Sequence, residues 1–492
     1  MTARGTDRGA VALVLHSHMP YVEGFDTWPF GEEWLWEALA TVYLPMIDAL
    51  EGAPVTLGLT PVLCDQLATL GGDPGDRFLA FLRGVRAPIH AEDSNGLERG
   101  GFPDLAAEVR RAALDYQSAD ARFGELRGRL VDAFAELDGP ELWTSTATHA
   151  VLPLLATDAG LRLQVGAGVA SHEQRFGADS WRGGFWLPEC AYAPGLERHL
   201  APYGVRTFCV DQSDAWGLGS LDHLEPVATP SGPVALPVDW QTVELIWGAA
   251  GYPADQRYRD YHGRTVHDLR PWNIAGDTYD PDEGLRLARA HAKDFVERCA
   301  ARLGAYRADR GRPGVLTCAI DTELLGHWWY EGLDWLRAVR EEADRQDVPL
   351  VRASEAANLV EPVERELSAS TWGRPKDMTT WDSPRVAHLA WTARSAELRT
   401  LREFAAAGGA AEANGSSPAF ERAARELLAL QASDWAFQVT HDTAGDYPSR
   451  RVSAHAEALD AALAALADSA PVPDPGLRNL APGLDLSPLL SP

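Results

Sequence analysis

The chain has 492 residues, 17 of them Trp, and a formal charge of −27 from 44 Lys and Arg against 71 Asp and Glu. Nucleic acid and anionic membrane surfaces need clustered cations, so the charge excludes both as partners and favours a neutral ligand. Lys293 and Lys376 are the only lysines and no GxxxxGK stretch occurs, which removes P-loop chemistry.

Residues 1–9 (MTARGTDRG) lack the features of a secretory leader. They lead into 10–16 (AVALVLH), a continuous apolar run of the kind a strand buried on both faces shows. A helix is expected over 33–50 and a second strand over 54–60. Residues 76–138 read as amphipathic helices rich in Arg, Asp and Glu. They are expected to form a helical insertion (76–139) in a catalytic domain built from 1–75 and 140–358. Strand patterns return at 141–147, 183–188, 205–211 and 314–320, with helical patterns between several of them. Such alternation predicts an α/β fold of βα units around a parallel sheet or barrel. Residues 223–282 have few clear periods and many Pro, Gly and aromatic residues; a long irregular stretch in a compact domain is usually functional. Helices are expected at 384–407, 418–432 and 452–468, with a Gly/Ser/Asn loop near 408–417, giving a C-terminal helical domain over 359–468. The Pro-rich tail 469–492 is expected to be disordered or loosely draped. No run of 18 apolar residues occurs, so no membrane span is expected. Cys64, Cys190, Cys209, Cys299 and Cys318 are odd in number and lack CxxC pairs. They read as buried thiols in a reducing, cytoplasmic compartment.

Three strand ends carry polar residues. In His16-Ser17-His18-Met19-Pro20-Tyr21 the two histidines stand at i and i+2 of an extended segment and point the same way. They are either satisfied structural histidines, ligand contacts or metal ligands. In Gly184-Phe185-Trp186-Leu187-Pro188-Glu189 a carboxylate follows an apolar strand. Either Pro188 opens a helix whose positive end Glu189 favours, or Glu189 is functional. In Ala319-Ile320-Asp321-Thr322-Glu323-Leu324-Leu325-Gly326-His327-Trp328-Trp329-Tyr330 a carboxylate precedes a His and three aromatics. Asp321 is either an N-cap or a reacting group, and burying that many polar ring edges needs a partner for each. Two isolated carboxylates at strand ends, in a Trp-rich acidic chain, suit glycoside chemistry: one as nucleophile, the other as general acid/base. In a barrel such groups collect at the C-terminal rim of the strands.

These motifs resemble glycoside hydrolase family 57. HSHMPY is similar to its opening motif, GFWLPE to its nucleophile motif and AIDTELLGHWW to its acid/base motif. DTELLGHWWYEG, GYPADQRYRDY at 251–261, Ser-Thr-Trp-Gly at 370–373 and Ala-Ser-Asp-Trp-Ala-Phe at 432–437 resemble the family's α-1,4-glucan branching enzymes. The resemblance implies a distorted (β/α)7 barrel with a helical insertion, and a C-terminal helical domain that completes the active site. It implies Glu189 as nucleophile and Asp321 as acid/base. Arg259, Gly276, Trp372 and Asp434 match substrate-contacting positions, and His16, His18, His149, Trp272 and His327 are expected to line the site. The reaction it implies cleaves an α-1,4-glucan and transfers the chain to a 6-hydroxyl, with no metal or other cofactor, in a monomer or small homo-oligomer.

Retention calls for carboxyls roughly 5–5.5 Å apart and an acid/base whose pKa is raised by burial. Trp272, Trp372 and Trp435 are expected to stack on glucan. Trp36, Trp143 and Trp391 are expected in the core, and Trp328 and Trp329 are expected to split between site and core. Two departures stand out. After the strand at 205–211 the chain reads Asp211-Gln212-Ser213-Asp214, where many relatives carry a His near the Asp. The stretch 224–242, matched to a mobile loop that bears a Tyr in branching relatives, has no Tyr; Trp240 is the ring available there. That lack favours an α-amylase-like hydrolase as the rival. Two further rivals are a metal-dependent carbohydrate enzyme using His16, His18 and Asp211, and a non-catalytic glucan-binding protein.

Overall fold

The computed structural model describes residues 8–406, 418–467, 472, 477 and 479–490. The expected loop near 408–417 lies outside the described residues, as do residues 1–7. Ten strands form the sheet: β1 (Ala10–Ser17), β2 (Thr56–Leu59), β3 (Glu141–Ser145), β4 (Gly184–Trp186), β5 (Thr207–Val210), β6 (Val227–Ala228), β7 (Val234–Pro237), β8 (Val315–Asp321), β9 (Leu350–Val351) and β10 (Val363–Glu364). Parallel pairing runs β7-β5-β4-β3-β2-β1-β8. The two ends of that run meet. Val238 bridges Thr317 in parallel, and the Asp239 amide donates to the Thr317 carbonyl at 2.8 Å. Seven strands thus curl into a distorted (β/α)7 barrel. Every residue of β1 is buried, as its unbroken apolar run requires when the barrel interior covers one face and outer elements the other.

The barrel packs tightly around Trp143. A Cβ built on Gly184 would stand 1.9 Å from the Trp143 Nε1, so only glycine lets β4 lie beside β3 there. Trp36 and Trp143 are core residues, as expected. Helices Asp73–Phe81, Ala87–Arg99, Pro103–Leu126 and Leu130–Ala135 separate β2 from β3. The helix expected over 33–50 forms as Glu32–Ala38 and Leu44–Leu50, joined through a π-turn at Leu39–Tyr43.

The C-terminal helices are Ala387–Ala406, Pro418–Leu430, Asp434–His441 and Tyr447–Ala467. The third is absent from the sequence pattern, because eight residues give too short a period to read. These helices share an apolar core with Tyr21 and Ala147 from loops and with Val62 from the helix Pro61–Leu67 that follows β2. The tail departs from expectation. Leu477, Leu480 and Leu489 are fully buried and the Ala481 amide donates to Asp65 Oδ2 at 2.8 Å. Spaced leucines between the prolines supply apolar anchors that composition alone conceals.

Three Trp assignments change. Trp435 is buried, donates to the Ala429 carbonyl at 2.8 Å and lies 4.7 Å from the Arg451 guanidinium, so it packs the helical core and is not free to stack on glucan. Trp391 is 65% exposed, beside Arg394, on the outward face of its helix. Trp240 is buried with the Lys376 ammonium 3.1 Å from its ring centroid, so it offers no open face. The stretch 224–242 is not a flap. Residues 227–237 form the β6–β7 hairpin, whose turn at Thr229–Pro233 lies at the N-terminal end of β7, and residues 240–242 begin the helix that follows β7. The Tyr is therefore missing from the barrel frame, not from a cover.

Candidate active site

The C-terminal ends of the parallel strands bring the predicted polar residues together. His16 and Ser17 end β1, His149 follows β3, Glu189 follows β4, and Asp321 is the last residue of β8, in register with His16. Glu189 and Cys190 both take a positive φ, 61° and 50°. Such a conformation costs about 1–3 kcal/mol per non-glycine residue and persists only where surroundings over-determine it. Here the Cys190 amide donates to the Leu187 carbonyl at 2.8 Å, the Ala191 amide to Pro188 at 2.9 Å, and the Trp372 amide to the Glu189 carbonyl at 2.9 Å. The elbow is a single tight turn at Pro188–Cys190, not the start of a helix.

The Glu189 carboxylate accepts from Trp372 Nε1 at 2.9 Å on Oε2 and from Ser433 Oγ at 3.2 Å on Oε1. Burial raises its pKa to about 7, against the lowering effect of the Trp372 bond. Asp321 occupies the N-cap position of the turn Thr322–Leu324 but makes no capping bond, so the N-cap explanation fails. Burial, then the neighbouring Glu323 and Glu189 carboxylates, push its pKa well above the usual range. The two carboxyls are thus electrostatic neighbours, both raised by burial, and Asp321 is raised further by the like charge beside it.

Behind Glu189 lies a histidine stack. His16 lies flat on Trp186, centroids 4.5 Å apart, and its Nε2 is 2.9 Å from His149 Nε2; His149 Nδ1 is 2.9 Å from Ser433 Oγ. Burial, then the charge on His18, lowers His16 and His149 far below the ordinary imidazole range, so both are neutral. His18 differs. Burial lowers it, but Asp434, with both carboxylate oxygens 3.0 Å from His18 Nε2, outweighs that and leaves it raised. Asp434 is therefore engaged by His18. Glu323, to which the sequence assigns no role, accepts from Tyr43 Oη at 2.5 Å and from the His18 amide at 3.1 Å.

Asp211 does not join the histidines. It is fully buried, pairs with Lys376 Nζ at 2.8 Å and accepts from the Ser213 hydroxyl at 2.6 Å. The donor set that a metal-dependent enzyme would use is thus split three ways, between His149, Asp434 and Lys376. Among the described residues no group of three His, Cys, Asp or Glu side chains is placed to hold a metal ion.

The remaining predicted residues gather in a second place. Arg259 pairs with Glu108 of the inserted helices and lies over the Tyr330 ring at 3.8 Å and the Tyr279 ring at 4.7 Å. Arg259 bridges Asn273 and Trp272 bridges Thr278, so Trp272 and Gly276 belong to the same irregular segment. Gly276, at φ +91°, makes its turn. His327 Nδ1 is 3.4 Å from Thr41 Oγ1, and burial lowers its pKa to about 4. Trp328 is 40% exposed and Trp329 is buried. Sequence reasoning misses Ser433, Trp186 and Tyr43. Ser433 sits in the Ala-Ser-Asp-Trp stretch, one residue from Asp434. Nothing in the sequence around Tyr43 marks it.

Known proteins resemble this chain over most of its length. The family model for glycosyl hydrolase family 57 matches residues 129–368, and that for the C-terminal region of 1,4-alpha-glucan branching enzymes matches 396–481. A 1,4-alpha-glucan branching enzyme of Thermococcus kodakarensis is 30% identical over 91% of this chain and 72% of its own length. A probable 1,4-alpha-glucan branching enzyme of Mycobacterium tuberculosis is 32% identical over 93% and 92%. The crystal structure of a family 57-type branching enzyme from Pyrococcus horikoshii superposes with a TM-score of 0.89 at 28% identity, covering 98% of this chain and 97% of that one. With two relatives at or above 30% identity, aligned over most of their length, the chain belongs to glycosyl hydrolase family 57.

Proposed function

We propose that this chain is a 1,4-alpha-glucan branching enzyme acting by a retaining double displacement. One observation carries the mechanism: Glu189 and Asp321 are neighbouring carboxyls, the first held by two donors and the second kept protonated by burial and like charge. A Glu189 oxygen attacks C1 of an internal glucosyl unit. The C1–O4 bond breaks, and Asp321 gives its proton to the departing O4. The glycosyl ester on Glu189 is then displaced by the 6-hydroxyl of an acceptor chain, whose proton passes to Asp321. An α-1,6 linkage forms and both carboxyls return to their starting states.

The histidine stack sets the donors. Ser433 Oγ–H donates to Glu189, so Ser433 accepts from His149 Nδ1–H, and neutral His149 must accept at Nε2 from His16 Nε2–H. This chain of donors points at the nucleophile and holds it between attacks. Transfer rather than hydrolysis is supported by the branching-enzyme names of the relatives and the match of the C-terminal region. The hydrolase rival drew on the Tyr-less stretch 224–242, of which 227–237 is the β6–β7 hairpin of the barrel frame and not a cover over the site. Five buried, unpaired thiols fit a cytoplasmic site of action.

Incubation with amylose, followed by proton NMR and a reducing-end assay, tests the reading. New α-1,6 signals with few new reducing ends are expected from the wild type, and neither from Glu189→Gln or Asp321→Asn. Reducing ends without branches from the wild type overturn it.

A further inference from the structure

We propose that Trp247 and Trp328 form an acceptor-binding surface for α-glucan beside the catalytic cleft. This rests on the branching reading above. Trp247 closes the helix Trp240–Trp247 that follows β7, and Trp328 lies seven residues beyond Asp321 in the loop after β8. Because β7 and β8 are joined through the Val238–Thr317 bridge, both indoles rise from adjacent parts of the catalytic rim. They are 43% and 40% exposed, while the neighbouring Trp329 and Trp335 are buried. Their centroids are 5.7 Å apart and their planes meet at 60°.

That angle selects the ligand. A flat β-linked glucan presents its sugar faces in one plane and needs coplanar rings. An α-1,4 chain curves, so successive glucosyl faces turn, and two rings meeting at an angle follow the turn. Beyond Trp328 opens a cavity of about 290 Å³ that is also lined by His327, Tyr261 and Arg259. Five carboxylates and three guanidinium groups line it, a mixture suited to the hydroxyls of a neutral polyol and repulsive to phosphate. Arg259, paired with Glu108 and packed against Tyr279 and Tyr330, holds one side of that lining in place.

The surface is continuous with the donor side of the cleft. Glu244, one turn before Trp247, stands 3.7 Å from Arg374, and Arg374 lies two residues past Trp372, whose indole holds Glu189. A chain stacked on Trp328 approaches from the side of Asp321, the group that must take its 6-hydroxyl proton.

The test compares wild type with Trp247→Ala/Trp328→Ala and with Trp391→Ala, an exposed Trp on the C-terminal helix Ala387–Ala406. Thermal melting establishes that each is folded. On amylose, the ratio of new branches to new reducing ends is expected to fall at least about fivefold in the double variant, the loss of two ring contacts, and to hold in Trp391→Ala. Trp328→Phe, which keeps a ring, is expected to recover part of the ratio. An unchanged ratio in the double variant overturns the proposal. Should the wild type only hydrolyse, the branching reading fails by itself, and calorimetric titration of Glu189→Gln with maltoheptaose reads the surface directly. Two binding events that become one on removing both rings support a glucan surface, and an unaltered isotherm overturns it.

Discussion

At the scale of single residues, the site is a problem of keeping two neighbouring carboxyls in opposite states. On the proposed mechanism, activity needs Glu189 ionised and Asp321 protonated. The rate should therefore rise as pH passes the Glu189 value of about 7 and fall where Asp321 gives up the proton that burial and the Glu323 and Glu189 carboxylates hold on it. The Trp372 indole stabilises the Glu189 carboxylate, so Trp372→Phe removes a bond that favours the charged form. The acid limb of the kcat/KM profile should then move to higher pH, with the alkaline limb in place. An acid limb that stays fixed would show that Trp372 serves only as a ring. Ser433→Ala removes the other donor and should move the same limb in the same direction.

At the scale of elements, the loop carrying Trp372 is fastened by one lysine. Lys376 Nζ pairs with Asp211 at 2.8 Å, donates to the Trp372 carbonyl at 3.0 Å and stands over Trp240. Breaking a buried pair from one side leaves an uncompensated charge and costs about 3–5 kcal/mol. Lys376→Met should lower the melting temperature accordingly, and Lys376→Met/Asp211→Asn should restore much of it, since the orphaned charge is gone. Equal losses in both variants would place the contribution in the contact with Trp240 instead. The long strands are legible because their apolar runs reflect burial on both faces. The two-residue strands β6, β9 and β10 and the helix Asp434–His441 are not, being shorter than the periods that reveal them. The turn at Glu189 reads as a helix start because Pro-Glu suits a helix N-terminus. The positive φ there is held by the turn's own bonds together with Trp372, 183 residues away.

At the scale of the whole molecule, the barrel supplies the two carboxyls proposed to react, and the segments after the barrel supply donors to Glu189. The Ser433 amide donates to the His149 carbonyl at 3.2 Å, Ala432 bridges Ala150, and Asp434 grips His18 across 416 positions of sequence. The last of these links makes docking depend on pH. His18 is raised in the folded state, so its pairing stabilises fully below the unfolded imidazole value of about 6.5 and fades as pH rises through the higher folded one. Asp434→Asn should cost about 1.5–3 kcal/mol below about pH 6.5, and the gap from wild type should narrow on the alkaline side. Melting curves across that range read it directly; a gap independent of pH would mean that His18 is neutral.

The sequence by itself determined the alternation of strands and helices and the two carboxylates at strand ends. It also marked the histidines that stand beside them, because each is a local pattern: an apolar run, then a polar residue where burial stops. Only the tertiary structure decided which predicted residues share a site. His16, His18, His149, Trp372 and Asp434 gather at Glu189, whereas Arg259, Trp272, Gly276 and His327 belong to the irregular segment and the cavity beside it. It likewise decided that Trp435 is core while Trp391 and Trp328 are exposed. An indole reads alike in sequence whether it meets a sugar or a leucine. The difference lies in what the closed barrel and the docked helices leave uncovered.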